Sequence, residues 1–154
     1  MNVPRREARE RALSLLYEAE AKDLAPAEVL SQLPLAPDPF VVDLVTGVGE
    51  HLVRLDELVG RFAIDWTVAR MAWVDRNVLR LGVFELLERP DHPTGAVISE
   101  AVALAKRFST DESGRFVNGV LAAVAAEVRP QAKTTTSEGS TSEGSTSEGS
   151  TTAG

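Results

Sequence analysis

The chain has 154 residues, no cysteine, two histidines and a formal net charge of -7, with 44% hydrophobic and 25% charged residues. Without cysteine there is no thiolate chemistry, no disulfide, no iron-sulfur cluster and no cysteine-rich zinc site. The acidity argues against indiscriminate nucleic-acid binding but is unevenly spread, which leaves room for a local basic patch. Residues 1–22 carry five basic against four acidic side chains, residues 23–60 one against seven, and residues 61–130 nine against nine.

The opening residues pass straight into a charged repeating pattern, so no secretory signal is expected. No apolar run reaches the roughly 18–20 residues that span a bilayer, and the expectation is a cytoplasmic protein with no membrane partner. Residues 1–132 are expected to form one helical domain. Residues 133–154 are a Thr/Ser/Glu/Gly tail in which Thr-Ser-Glu-Gly-Ser recurs three times from Thr136 to Ser150. Ordering such a tail costs about 1–2 kcal/mol per residue with nothing apolar to bury, so it is expected to be disordered.

In chain order, Ala8, Ala12, Leu15, Leu16 and Ala19 recur at spacings of three and four and predict a helix over Arg5 to Lys22. Pro4 is tolerated at its first turn, where no amide hydrogen is needed. A short helix follows over Pro26 to Leu33, ended by Pro34, Pro37 and Pro39. Phe40, Val41, Leu44, Val45, Val48, Leu52, Leu55 and Val59 then predict one long helix from Phe40 to Arg61. Asp65 is placed to cap a short helix over Trp66 to Met71, and Asp75 to cap the most apolar helix, Arg76 to Arg89.

After the linker Arg89 to Pro93, a sixth helix spans Thr94 to Phe108. Ser109 and Glu112 have capping-box spacing ahead of a last helix carrying Val117, Val120, Leu121 and Val124, which Pro130 closes. The sum is an all-α protein of about seven helices in two packed layers sharing a core. No segment sustains the alternation of a β-strand.

Catalytic chemistry finds no foothold. His51 and His92 lie far apart outside any metal-binding pattern, and both read as structural or solvent-facing. Gly47 and Gly49 sit inside a helix without the lysine of a phosphate loop, and instead suit a close helix crossing. No triad or convergent acid–base pair is present, so neither a cofactor, a metal nor an enzymatic activity is expected.

Two basic features remain. Arg5, Arg6, Arg9 and Arg11 crowd one helix start, with Arg5 and Arg9 on one face. Arginine holds phosphates in a bidentate fork and stacks on unpaired bases, which suits single-stranded RNA, although an ordinary charged helix face has the same composition. The second feature surrounds the start of the last helix, where Lys106, Arg107 and Arg115 stand near Glu112. Phe116 there belongs either to the core or to an exposed stacking platform. Asn118 is suited to tying the helix to a nearby loop.

Four ordered blocks carry a resemblance: Arg5-Arg6-Glu7-Ala8-Arg9 with Ala12 to Tyr17; Asp75 to Leu81 with Glu85-Leu86; Pro93 to Lys106; and Phe116-Val117-Asn118-Gly119-Val120-Leu121. Together they resemble the bacterial NusB family of transcription antitermination factors. The resemblance implies an all-helical bundle, three helices packed against four, that makes and breaks no bond. It implies binding to the single-stranded boxA element of rRNA leader transcripts together with NusE, a small-subunit ribosomal protein. It further implies association with the RNA polymerase elongation complex and other Nus factors, supporting processive rRNA transcription and maturation.

Carried onto this chain, the resemblance assigns RNA contact to Arg5, Arg6, Arg9, Glu112, Arg115 and Phe116, and a structural signature to Asn118 and Gly119; Lys106 joins the expected RNA-binding residues for its positive charge near the last helix. Glu112 stands where the family more often has Asp, and Ser99 where it often has Asn. The alternatives are a detached rRNA-binding module, of the kind that precedes some rRNA cytosine methyltransferases, and a helical homodimer that buries the arginine face.

Overall fold

The computed structural model describes residues 3–64 and 66–130. Seven α-helices form among them: α1 (Arg5–Lys22), α2 (Pro26–Ser31), α3 (Pro39–Glu50), α4 (Leu52–Phe62), α5 (Trp73–Glu88), α6 (Thr94–Phe108) and α7 (Asp111–Val128), with a 3-10 turn over Val68–Arg70 before α5. The tail and the proposed boundary at residue 132 lie outside the described residues, as does Asp65. Among the described residues no helix is long and apolar enough to cross a membrane.

The α5 helix organises the bundle because it is covered nearly all round: Val78, Leu79, Leu81, Val83, Phe84 and Leu86 are all buried, and its polar residues Asn77 and Glu85 are buried with them. A helix with apolar residues on every side has to be packed on every side. Helices α1, α2 and α3 pack together on one side of it, while α4, α6 and α7 cover the other. One core results, in which Ala8, Ala12, Leu15 and Leu16 of α1 meet the same cluster as Val117, Val120, Leu121 and Val124 of α7. The close crossing expected at Gly47 is present: a Cβ there would lie 2.1 Å from Cζ of Phe84, so the ring of α5 occupies the space a side chain on α3 would need.

The two layers are also joined by polar contacts. Glu20 of α1 accepts hydrogen bonds from Arg76, Asn77 and Arg80 of α5, and Arg80 forks onto Asp56 of α4. Arg129, just past α7, donates to the carbonyls of Glu85, Leu86, Arg89 and His92, so it supplies donors to the last turn of α5 and to the loop that follows it.

Several boundaries differ from the pattern-based expectation. The long helix divides at His51, whose backbone leaves helical geometry at φ -108, ψ 14. Its ring Nδ1 bonds the Gly47 carbonyl at 2.9 Å, beside the 3.1 Å backbone bond to the same oxygen, and two glycines just before it weaken the helix. The short helix over Trp66 to Met71 is only the 3-10 turn, so the expected total of seven arises from one helix splitting and another shrinking. Asp75 does not cap α5: it sits inside the first turn, and its Oδ2 accepts a 3.2 Å hydrogen bond from Ser113 of α7 instead. At α7 the cap is Thr110, whose hydroxyl accepts from the Ser113 amide at 3.0 Å, rather than Ser109. The second helix stops at Ser31 rather than Leu33.

Candidate nucleic-acid interface

Arg5 and Arg6 occupy the first turn of α1 and are exposed. Arg5 lies over the Phe40 ring of α3, its guanidinium carbon 4.7 Å from the ring centre. Arg6 reaches the other way and forks onto Glu100 of α6, with bonds of 3.0 and 3.1 Å. That hydrogen bond raises the Arg6 pKa and holds the Glu100 carboxyl below its usual range. Exposed pairs of this kind are weak, and a phosphate offers the same bidentate geometry as the carboxylate it would displace.

Arg9 departs from the expectation. It is 6% exposed, and its guanidinium forks onto Glu85 of α5 at 2.7 and 3.0 Å, with Glu85 itself 1% exposed. Helical periodicity explains the difference, since residue 9 shares a face with Ala12, Leu13 and Leu16, all buried. A carboxylate among Phe84 and Leu86 was the signal that a buried cation had to come from elsewhere. Arg9 therefore anchors α1 to α5 and leaves Arg5, Arg6 and Arg11 as the exposed arginines of this turn.

At the other end of α6, Lys106 and Arg107 are exposed in the last turn, where positive charge suits the helix dipole. Arg107 pairs with Glu10 of α1. The stem of Lys106 lies against Gly114 of α7, where a Cβ would come within 2.6 Å of Lys106 Cγ. A line of contacts thus runs from the first turns of α1, along α6, to the start of α7.

There Phe116 is half-buried, satisfying both readings in part: one side packs on the core and the other borders a cleft. Trp66, Met71, Asp75 and Glu112 line that cleft with it, and Trp66 is 55% exposed. Asp75 Oδ1 is buried there without a hydrogen-bond partner, and burial pushes the Asp75 carboxyl up, against the smaller lowering effect of the Ser113 bond. Arg115 is exposed and faces a second groove with Arg61 and Ile64. Trp66 and Asp75 were not singled out for contact in the sequence. An exposed tryptophan beside a half-buried phenylalanine is visible only once the chain before α5 and the start of α7 line one cleft.

Asn118 and Gly119 are exposed, Asn118 makes no side-chain hydrogen bond among the described residues, and a Cβ at 119 would meet nothing within 4 Å. Gly119 lines the second groove with Arg61, Phe62 and Ile64. His51 and His92 both engage in side-chain contacts within the fold, His92 against Glu85 at 2.9 Å. Among the described residues no group of three or more His, Asp or Glu side chains is arranged to hold a metal.

Comparison with known proteins gives a consistent family. The NusB family profile matches residues 6–126. A transcription antitermination protein NusB from Thermobifida fusca is 50% identical over 121 residues, covering 76% of this chain and 85% of that one. A solved NusB from T. maritima superposes with a TM-score of 0.74 at 35% identity, covering 82% of this chain and 94% of that one. A solved assembly of the antitermination factors NusB and NusE with double-stranded RNA matches with a TM-score of 0.69 at 28% identity, over 80% of this chain and 96% of that one. With most of its folded length matched in sequence and in structure, the chain belongs to the NusB family of transcription antitermination proteins.

Proposed function

We propose that this chain is a cytoplasmic antitermination factor that binds the single-stranded boxA element of rRNA leaders together with NusE, and so joins the elongating RNA polymerase and other Nus factors. The observation that carries the proposal is the line of exposed cations, Arg5 and Arg6 on α1 and Lys106 and Arg107 on α6, with Lys106 packed on Gly114 of α7, two residues before the half-buried ring of Phe116. Cations track a phosphate backbone, and an aromatic ring at the end of the track offers an unpaired base a stacking partner. Glu112 and Arg115 flank that ring and supply an acceptor and a donor. The NusB–NusE assembly on RNA, formed by a protein of similar fold, supports NusE as the partner. The work done is binding, and no step of it needs a cofactor.

With only a few exposed cations on a net-acidic domain, affinity for RNA alone is modest and falls with salt. The test is binding of fluorescent boxA RNA against a scrambled control, with and without NusE, at two salt concentrations. Selective binding strengthened by NusE, and weakened by the Arg5→Ala/Arg6→Ala pair with helicity intact, is the expected result. Equal affinity for the scrambled RNA would overturn it.

A further inference from the structure

Arg5 does not stand alone at the surface. Its NH1 lies 3.4 Å from Nε2 of His92, and the opposite ring nitrogen, Nδ1, lies 2.9 Å from Oε1 of Glu85. Glu85 also takes both bonds of the Arg9 fork, on Oε1 and Oε2. A carboxylate only accepts and a guanidinium only donates, so the imidazole between them has one consistent arrangement: Nδ1 carries the hydrogen and donates to Glu85, while the Nε2 lone pair accepts from Arg5.

The Phe40 ring completes the enclosure, with Arg5 and Arg9 over it and His92 edge-on, its ring centre 5.7 Å away. Arg129 approaches His92 only through the backbone carbonyl.

We infer that His92 is a positioning residue for RNA, passing the fixed orientation of the buried Arg9–Glu85 pair to the exposed Arg5 guanidinium. Arg5 is exposed in the first turn of α1, and the partners of its side chain, His92 and the Phe40 ring, both lie outside α1. The immobile acceptor comes from the loop between α5 and α6 instead. A guanidinium held in one place before binding loses less rotamer freedom on meeting a phosphate, which strengthens the contact without adding a new one. The inference rests on the assignment of Arg5 to RNA made above.

The test uses the full-length chain and boxA RNA, with affinities measured for the parent, Arg5→Ala, His92→Phe, His92→Gln and the Arg5→Ala/His92→Phe double variant. Loss of one oriented phosphate contact is worth about threefold to tenfold in affinity. His92→Phe should show most of the loss seen in Arg5→Ala, the double variant should be no weaker than Arg5→Ala, and His92→Gln, whose amide keeps an acceptor toward Arg5, should recover most of the affinity. A purely structural histidine would lower stability without this non-additivity. In the parent, nitrogen NMR of the imidazole should find the hydrogen on Nδ1.

Parent-like binding by His92→Phe while Arg5→Ala is weakened would overturn the positioning role and leave the RNA assignment standing. Additive losses, no recovery in His92→Gln, or the hydrogen on Nε2 would overturn it equally. An Arg5→Ala variant that binds like the parent would remove the RNA assignment of Arg5 and this inference with it.

Discussion

Replacing Arg9 by Ala separates the two roles that one arginine cluster has in this chain. The side chains of Arg9 and Glu85 are 8% and 2% exposed, and both oxygens of Glu85 face the Arg9 guanidinium. Removing the cation strands a carboxylate in the core with only His92 for company, a loss of about 3–5 kcal/mol. A folded body of about 125 residues has an unfolding entropy near 0.26 kcal/mol/K, so the melting temperature should fall by roughly 11–19 °C. Thermal and urea unfolding followed by far-ultraviolet circular dichroism measure this directly. Arg9→Met combined with Glu85→Leu removes both charges while keeping apolar volume, and should recover most of the loss. A single Arg9→Ala variant that melts within about 3 °C of the parent would refute the view that this pair is a buried anchor.

Three further outcomes follow from the geometry. Burial by itself raises the Glu20 carboxyl, but the Arg76 and Asn77 hydrogen bonds and the charges of Arg76 and Arg80 outweigh it, so its pKa in the fold lies below the ordinary 4.5. The unfolded chain then binds the extra proton, and the stabilisation is present above pH 4.5 and lost as pH falls through the lower folded value. Glu20→Gln should cost about 1–2 kcal/mol at pH 7 and flatten the acid side of the stability profile, as measured by urea titrations at several pH values. Gly47→Ala gains about 1 kcal/mol of helix propensity yet drives a methyl into the Phe84 ring, and should be destabilised overall in thermal melts, more than Gly49→Ala, where the nearest contact is 3.2 Å to Pro26. Glu100→Gln removes the carboxylate that competes with phosphate for Arg6 and should raise RNA affinity about twofold to fivefold at low salt, with the difference vanishing near 1 M salt in the same fluorescence titration.

The amino-acid sequence alone determined the helical class, the extents of α1 and α6, and the proline break before α3, because these follow from local periodicity and from the missing amide hydrogen of proline. It also carried the family blocks, and with them the arginines of the first turn and Phe116. It did not determine what those arginines meet. Periodicity sets Arg9 on the buried face with Ala12, Leu13 and Leu16, but only the tertiary arrangement supplies the partners: Glu85 of α5 for Arg9, Glu100 of α6 for Arg6 and His92 of the α5–α6 loop for Arg5.

The helix starts show the same division. Asp75 and Ser109 have the right chemistry for caps, but Asp75 is drawn toward Ser113 across the bundle and the cap at α7 falls to Thr110. At His51 a side-chain bond to the Gly47 carbonyl divides a pattern that reads as one continuous stripe. Local propensity sets where helices can form, whereas burial and side-chain hydrogen bonds, each larger than a propensity difference of a few tenths of a kcal/mol, decide where they end and which charges reach the surface.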